Sequence, residues 1–324
     1  MLEVSGLCVT LNTPRGPANA LRGIDFTLAR GETLGLIGES GCGKSMTALA
    51  LMGLLPSGAR VSGSIRLNGQ ELVGQGDRAM CALRGNRIGM VFQEPMTALN
   101  PLHTIAKQIA EPLRLHKGMT RTAARAEALR LLERVQLPNA AQRLDAYPHQ
   151  LSGGQRQRVT IAIALACGPD LLIADEPTTA LDVTIQREIL DLINGLVEEA
   201  GMALLMISHD LGVMARMVSR LLVMYGGTVV ESGPTDDVFA HLAHPYTRGL
   251  FAARPRMGAV RVNGRKPRLV TIPGRVPELV DMPPGCPFAD RCGWVVEACR
   301  TAAPPPFSVG TAHEARCIRV GEIA

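Results

Sequence analysis

At 324 residues with 46% hydrophobic content, the chain is long enough for one large domain and a smaller one around a buried core. Its formal net charge of +5, from 34 Lys and Arg against 29 Asp and Glu, is too small to compel a nucleic-acid partner; a basic phosphate site or an anionic membrane surface accounts for it equally well. No apolar run nears the roughly eighteen residues needed to span a bilayer, and Met1-Leu2-Glu3-Val4-Ser5 lacks the basic and hydrophobic blocks of a secretory signal, so a cytoplasmic chain, free or peripheral, is expected.

The first sixty or so residues read as strands, over 7–11, 24–28 and 33–37, with Arg30-Gly31-Glu32 as a tight connection. Residues 46–55 predict a helix halted by Gly53 and Pro56, and 65–67 a further strand turning at Asn68-Gly69. From about 96 to 146 the pattern becomes helical, with helices over 104–115 and 120–135; Ala128, Leu132 and Val135 share helical spacing in the second. The arginines between Arg121 and Arg134 read as a solvated or partner-docking face, because no aromatic residues interleave to stack on bases. Strands return at 171–174 and 203–207, apolar without alternation as parallel strands covered on both faces should be, with a crossover helix over 185–199 between them. Segments 221–225 and 228–231, joined through Gly226-Gly227, predict a hairpin that finishes the sheet. Twelve of the 22 prolines fall from Pro234 onward, which predicts an irregular, loop-rich tail and a domain boundary near Gly233.

The chemistry concentrates where strands end. Gly38-Glu39-Ser40-Gly41-Cys42-Gly43-Lys44-Ser45, between an apolar strand and the helix opening at Met46, is a Gly-x-x-x-x-Gly-Lys-Ser phosphate-binding loop. Small residues let successive N–H groups turn inward, the helix N-terminus adds positive charge, Lys44 can reach terminal phosphates, and Ser45 would hold Mg²⁺. Asp175 and Glu176 end a second apolar strand, and Ser208 and His209 a third. Asp175 is placed for the Mg²⁺ side, through water, and Glu176 to polarise an attacking water. In the stretch from Tyr147 to Arg158, the Ser152-Gly153-Gly154-Gln155 step at a helix start offers N–H groups and a hydroxyl to an anion.

Leu151-Ser152-Gly153-Gly154-Gln155, in the order phosphate loop, glutamine loop, signature, Asp-Glu pair and histidine, resembles the nucleotide-binding subunit of ABC transporters over residues 2–233. Gln93 in Val91-Phe92-Gln93-Glu94-Pro95 matches the family's Q-loop, Thr179-Ala180-Leu181-Asp182 its D-loop, and His209 its switch histidine. The resemblance implies an α/β P-loop ATPase with an antiparallel β subdomain and a helical signature subdomain over about 96–165. It also implies an ATP sandwich in which two subunits pair head to tail. Residues Gly38, Glu39, Ser40, Gly41, Cys42, Gly43, Lys44, Ser45 and Met46 would then cradle ATP, with Ser45, Gln93 and Asp175 on Mg²⁺, Glu176 on water and His209 on the γ-phosphate. Ser152, Gly153, Gly154, Gln155 and Asp182 would serve the shared interface. The family usually stacks adenine on an aromatic residue; Leu11 holds that place here, and the early Phe26 reads as core.

Residues 234–324 narrow the resemblance. His244-Pro245-Tyr246-Thr247-Arg248-Gly249-Leu250, Ile272-Pro273-Gly274 and Gly285-Cys286-Pro287-Phe288-Ala289-Asp290-Arg291-Cys292 look like the C-terminal extension of dipeptide and oligopeptide importer ATPases, and Met96-Thr97-Ala98-Leu99-Asn100-Pro101 like their D-type subunit. That implies a homologous second ATPase, two transmembrane permease subunits fed by an external solute-binding protein, a peripheral place on the cytoplasmic membrane face, and no nucleic acid. Nickel, glutathione or another small solute is the alternative cargo, and a soluble ABC-type ATPase acting on nucleic acid or ribosomes is the alternative class. Cys8, Cys42, Cys81 and Cys167 are scattered and expected to stay thiols. Cys286, Cys292, Cys299 and Cys317 crowd a Pro-rich segment with little core, which argues for a staple, although their spacing is neither a zinc ribbon nor a common ferredoxin pattern. The resemblance associates this quartet with a [4Fe-4S] cluster, with Zn²⁺ as the alternative and free thiols or a disulfide as the remainder.

Overall fold

The computed structural model describes residues 1–179, 181–254 and 271–323; Ala180 of the D-loop match and residues 255–270 of the tail lie outside them. Strands β1 (Leu2–Thr13) and β2 (Gly16–Leu28) pair antiparallel across the turn at Thr13 and Gly16. After β3 (Thr33–Ile37), strands β4 (Arg60–Leu67) and β5 (Gln70–Glu71) complete an antiparallel sheet of order β2-β1-β4-β5. Its apolar face, including Leu2, Val4, Ile24, Phe26 and Ile65, packs on the first of two hydrophobic cores, shared with the helix Lys44–Met52. Phe26 is buried there, as expected.

The second sheet is built from β3 with β6 (Ile88–Val91), β7 (Leu171–Asp175), β8 (Ala203–Ile207), β9 (Arg220–Tyr225) and β10 (Thr228–Pro234), followed by β11 (Phe307–Gly310) and β12 (His313–Ala315). Its order is β11-β12-β10-β9-β3-β8-β7-β6, parallel from β9 to β6. Every residue of β6, β7 and β8 is buried, the physical basis of their non-alternating sequences. Helix Val183–Ala200 covers one face with Ile189, Leu190, Ile193, Leu196 and Val197, and ends at Gly201 in the left-handed region. Helices Ile105–Lys117, Arg121–Arg134 and Gly153–Leu165 pack against one another, each opened by a side chain (Thr104, Thr120, Ser152) that accepts a hydrogen bond from an orphan N–H of the first turn.

The Gly226-Gly227 hairpin forms as predicted, both glycines at positive φ, but it does not finish the sheet. Strand β12 pairs with β10 (Glu231 opposite Ala315, Ser232 opposite Glu314) and β11 adds beyond it, so the tail is more ordered than its prolines suggest. An uncovered β10 would present a row of unpaired backbone groups, and three or four tail residues suffice to cover it. Those strands are too short for periodicity to reveal.

The fully buried Glu231 carboxylate anchors this junction: it accepts the backbone N–H groups of Ala243 and His244, each at 2.9 Å, and meets His313 Nε2 at 2.8 Å. Next to it, buried His244 caps the helix Pro245–Ala252, its Nδ1 accepting the Tyr246 N–H at 3.1 Å. Burial lowers the His244 pKa from 6.5 to about 3. The unfolded chain therefore takes up a proton at this residue below pH 6.5 that the folded chain refuses, so this contribution to stability is intact above 6.5 and is lost as pH falls toward 3. The slope is about 1.4 kcal/mol per pH unit. His244→Asn, whose amide oxygen can accept the same N–H, is expected to flatten the acid limb by that amount, measured as urea midpoints between pH 4.5 and 7 (about two pH units of unfolded-state titration).

Candidate nucleotide site

Sheet register aligns the strand ends that carry chemistry. Leu36 of β3 lies opposite Ile207 of β8, Ile207 opposite Asp175 of β7, and Ala174 opposite Val91 of β6. The chain leaving each end therefore enters the same crevice, the position at which open α/β sheets bind ligands. A cleft of about 360 Å³ opens there, lined by Ala20, Ser40, Gly41, Gly43, Lys44, Ser45, Met46, Gln93, Glu176, His209 and Leu279.

The phosphate loop is shaped by close approach. At Gly38, a Cβ would lie 2.2 Å from the Met224 carbonyl oxygen, and φ is +156°, so only glycine lets β3 turn into the loop. Gly43 caps the helix Lys44–Met52, which has no side-chain cap and no acidic residue in its first turn, leaving its N-terminus to attract an anion. The Lys44 ammonium is held within the loop, donating to the carbonyls of Gly38 (2.7 Å) and Glu39 (3.0 Å). Cys42 is buried beneath it, where desolvation pushes its thiol up.

Asp175 is buried, and its Oδ1 has no hydrogen-bond partner. Burial raises its pKa, opposed by hydrogen bonding from Ser45 and by the charge of Lys44. An orphaned carboxylate oxygen beside a hydroxyl is the hard-oxygen donor set that suits Mg²⁺, so the residues present fit that ion.

Glu176 sits at φ +46°, a left-handed conformation uncommon outside glycine, pinned by its N–H to the Ile207 carbonyl at 2.9 Å. Its carboxylate accepts from Thr179 Oγ1 (3.0 Å) and Gln93 Nε2 (3.3 Å) and meets His209 Nδ1 at 3.1 Å. Two sequence-separated candidates, Gln93 and His209, thus converge on the Glu176 carboxylate, with Thr179 as a third partner that its place in the D-loop stretch did not single out. Strained backbone held by several partners fixes the direction of an acid-base group.

Ser152, Gly153, Gly154 and Gln155 do not border this cleft. Ser152 and Gln155 instead form a reciprocal capping box at the start of helix Gly153–Leu165 (Gln155 N–H to Ser152 Oγ 3.3 Å, Ser152 N–H to Gln155 Oε1 3.1 Å). Asp182 stands exposed at the N-terminus of helix Val183–Ala200.

A family profile described as ABC transporter matches residues 21–179, and one described as oligopeptide/dipeptide transporter, C-terminal region, matches residues 230–299. The chain is 51% identical over its whole length, and over 98% of the relative, to a protein of Brucella melitensis with the provisional description peptide import ATP-binding protein. It is 49% identical to the oligopeptide transport ATP-binding protein OppD of Salmonella typhimurium over 96% of this chain and 91% of that one. The chain belongs to the ATP-binding subunits of ABC transporters. A dimeric ATP-binding cassette solved with ADP and Pi in a post-hydrolysis state superposes with a TM-score of 0.65 at 29% identity, covering 72% of this chain and 99% of that one. As a member of this family the chain is an ATPase whose hydrolysis is coupled to transport, and no described helix is long and apolar enough to cross a membrane.

The tail of this ABC ATPase reaches the phosphate loop itself. The Glu39 N–H donates to Tyr246 Oη at 2.7 Å, and the buried Arg291 guanidinium donates to the Glu39 carboxylate at 2.6 and 3.1 Å. Arg291 also donates to Tyr225 Oη (3.2 Å) and to the Pro273 carbonyl (2.7 Å). Around it Tyr225, Tyr246 and Phe288 pack in tilted and edge-to-face contacts with centroids 4.6 to 5.4 Å apart, so His-Pro-Tyr and Cys-Pro-Phe supply aromatic packing under the loop. No sequence signal links residues 252 positions apart.

The metal expected at the cysteine quartet is not supported. Cys286, Cys292, Cys299 and Cys317 border one cavity of only about 10 Å³. Among the described residues, no group of three or more His, Cys, Asp or Glu side chains is arranged to hold a metal ion, and all eight cysteines are free. Burial pushes the Cys286 thiol up to about 11 and raises those of Cys292 and Cys317. The iron–sulfur assignment, with its zinc alternative, is therefore corrected. The tail is ordered instead by the aromatic cluster, the Arg291 bonds, the Cys286 N–H to Cys299 carbonyl bond at 2.7 Å and the pairing of β12 with β10.

Proposed function

We propose that this ABC ATPase hydrolyses ATP to drive import of oligopeptides or dipeptides through membrane permease subunits. The observation that carries the cargo class is the likeness to peptide-transport ATP-binding proteins across residues 230–299, beyond the ATPase core common to the cassette. On this reading residues 1–233 form the nucleotide-binding domain and 234–324 an importer-type extension. Lys44 and the loop amides from Gly38 to Met46 hold the phosphates, Glu176 takes a proton from the attacking water, and His209 and Gln93 orient the γ-phosphate end. Ser45, Gln93 and Asp175 would hold Mg²⁺, which would supply positive charge against the phosphates. Because Ser152 to Gln155 stand away from the cleft, they and Asp182 serve the ATP of a second, homologous ATPase subunit. The exposed Phe92 and Leu102, near the Q-loop, offer apolar surface to a permease on the cytoplasmic membrane face.

The reading is tested in proteoliposomes carrying this chain, its partner ATPase, the permeases and the external binding protein. Short peptides are expected to raise ATP hydrolysis several-fold over the basal rate. Stimulation by nickel or glutathione and not by peptides would overturn the cargo class, and retention of nucleic acid at moderate salt would overturn the transport role.

A further inference from the structure

We propose that Leu279, from the C-terminal segment, forms the apolar surface on which the nucleotide base rests. This deepens the ATP-binding reading and depends on it. The cleft is lined by the polar and charged side chains of Lys44, Ser45, Gln93, Glu176 and His209 and by the apolar ones of Ala20, Met46 and Leu279. Leu11, in the sequence position where an aromatic platform is expected, does not border the cleft; it pairs with Ala18 and packs against the core beneath the antiparallel sheet.

Leu279 is brought there by fixed contacts. Arg15, in the β1–β2 turn, donates to Glu278 Oε2 at 2.8 Å and to both oxygens of Asp281 at 2.7 and 2.8 Å, bracketing Leu279 from either side. Arg22 of β2 donates to the Pro283 carbonyl at 3.4 Å. The short turn Leu279–Asp281 is thus held against the strand that carries Ala20. A half-buried branched aliphatic side chain at the border of this cleft leaves apolar surface in water and gains by covering the flat face of a base. An aliphatic surface offers no hydrogen bond to a base edge, so Leu279 accepts adenine and guanine alike.

Calorimetric titration of the full chain tests this with three probes: ATP, GTP and tripolyphosphate, each with Mg²⁺. Leu279→Ala is expected to weaken ATP and GTP about fivefold and Leu279→Asp more, while tripolyphosphate, which has no base, binds as to wild type. Arg15→Ala should weaken the two nucleotides in the same direction. Unchanged ATP affinity in both Leu279 variants would overturn the proposal, as would an equal loss for tripolyphosphate, which marks a structural effect. A wild-type chain that binds tripolyphosphate no more weakly than ATP would instead show that no base site exists, a failure of the ATP reading itself.

Discussion

Glu176→Gln is expected to bind ATP about as tightly as wild type and to hydrolyse it at least about a hundredfold more slowly, the usual loss when a positioned general base is removed. The amide is isosteric, so its oxygen can still accept from Thr179 Oγ1 and the backbone bond to Ile207 is untouched. What is lost is the capacity to take a proton at the point where Gln93 and His209 converge. Phosphate release under saturating ATP, with bound nucleotide measured on the same sample, separates the two effects. With hydrolysis blocked, ATP should also hold two subunits together, visible as a dimer on size exclusion. Turnover within about threefold of wild type, a loss of less than 1 kcal/mol of barrier, would remove Glu176 from the role of base.

Arg291→Met should lower the thermal midpoint by roughly 5 °C, a loss of about 2 kcal/mol. Methionine can fill the space over the Tyr225 and Phe288 rings but loses the cation over them, and it leaves the Glu39 carboxylate without its guanidinium and the Pro273 carbonyl without a donor. The loss is smaller than for a fully enclosed ion pair because the Glu39 side chain is 29% exposed and regains some hydration. Arg291→Lys should recover little, since a single ammonium cannot serve Glu39, Tyr225 and Pro273 in their present geometry. Because Glu39 is part of the phosphate loop, KM for ATP should rise with the loss of stability. Differential scanning fluorimetry with and without ATP checks both, and a midpoint within 1 °C of wild type (about 0.5 kcal/mol or less) would show that the extension does not brace the loop.

The elements of the ATPase core were legible because each carries a local signal. Strands β7 and β8 read as unbroken apolar runs since both of their faces are covered, and the loop from Gly38 to Ser45 is written in the glycines its backbone requires. Where local signals are weak, sequence and structure differ: β11 and β12 are too short to show a period, and they extend the sheet beyond the hairpin of β9 and β10. The cysteine quartet is clustered in sequence and in space, yet crowding within a segment does not create a ligand geometry, and the segment is held by aromatic packing and hydrogen bonds instead.

The phosphate loop, the Asp-Glu pair, the histidine and their order are legible from residues alone, because backbone conformation and charge at strand ends depend on neighbours along the chain. It takes the packed chain to bring Gln93, Thr179 and His209 together on Glu176, to set Arg291 and Tyr246 on Glu39, and to place Leu279 at the cleft that Leu11 does not border. The reason is physical: those encounters are set by strand order, by register and by where a remote segment can be packed, and no local pattern of residues encodes any of the three.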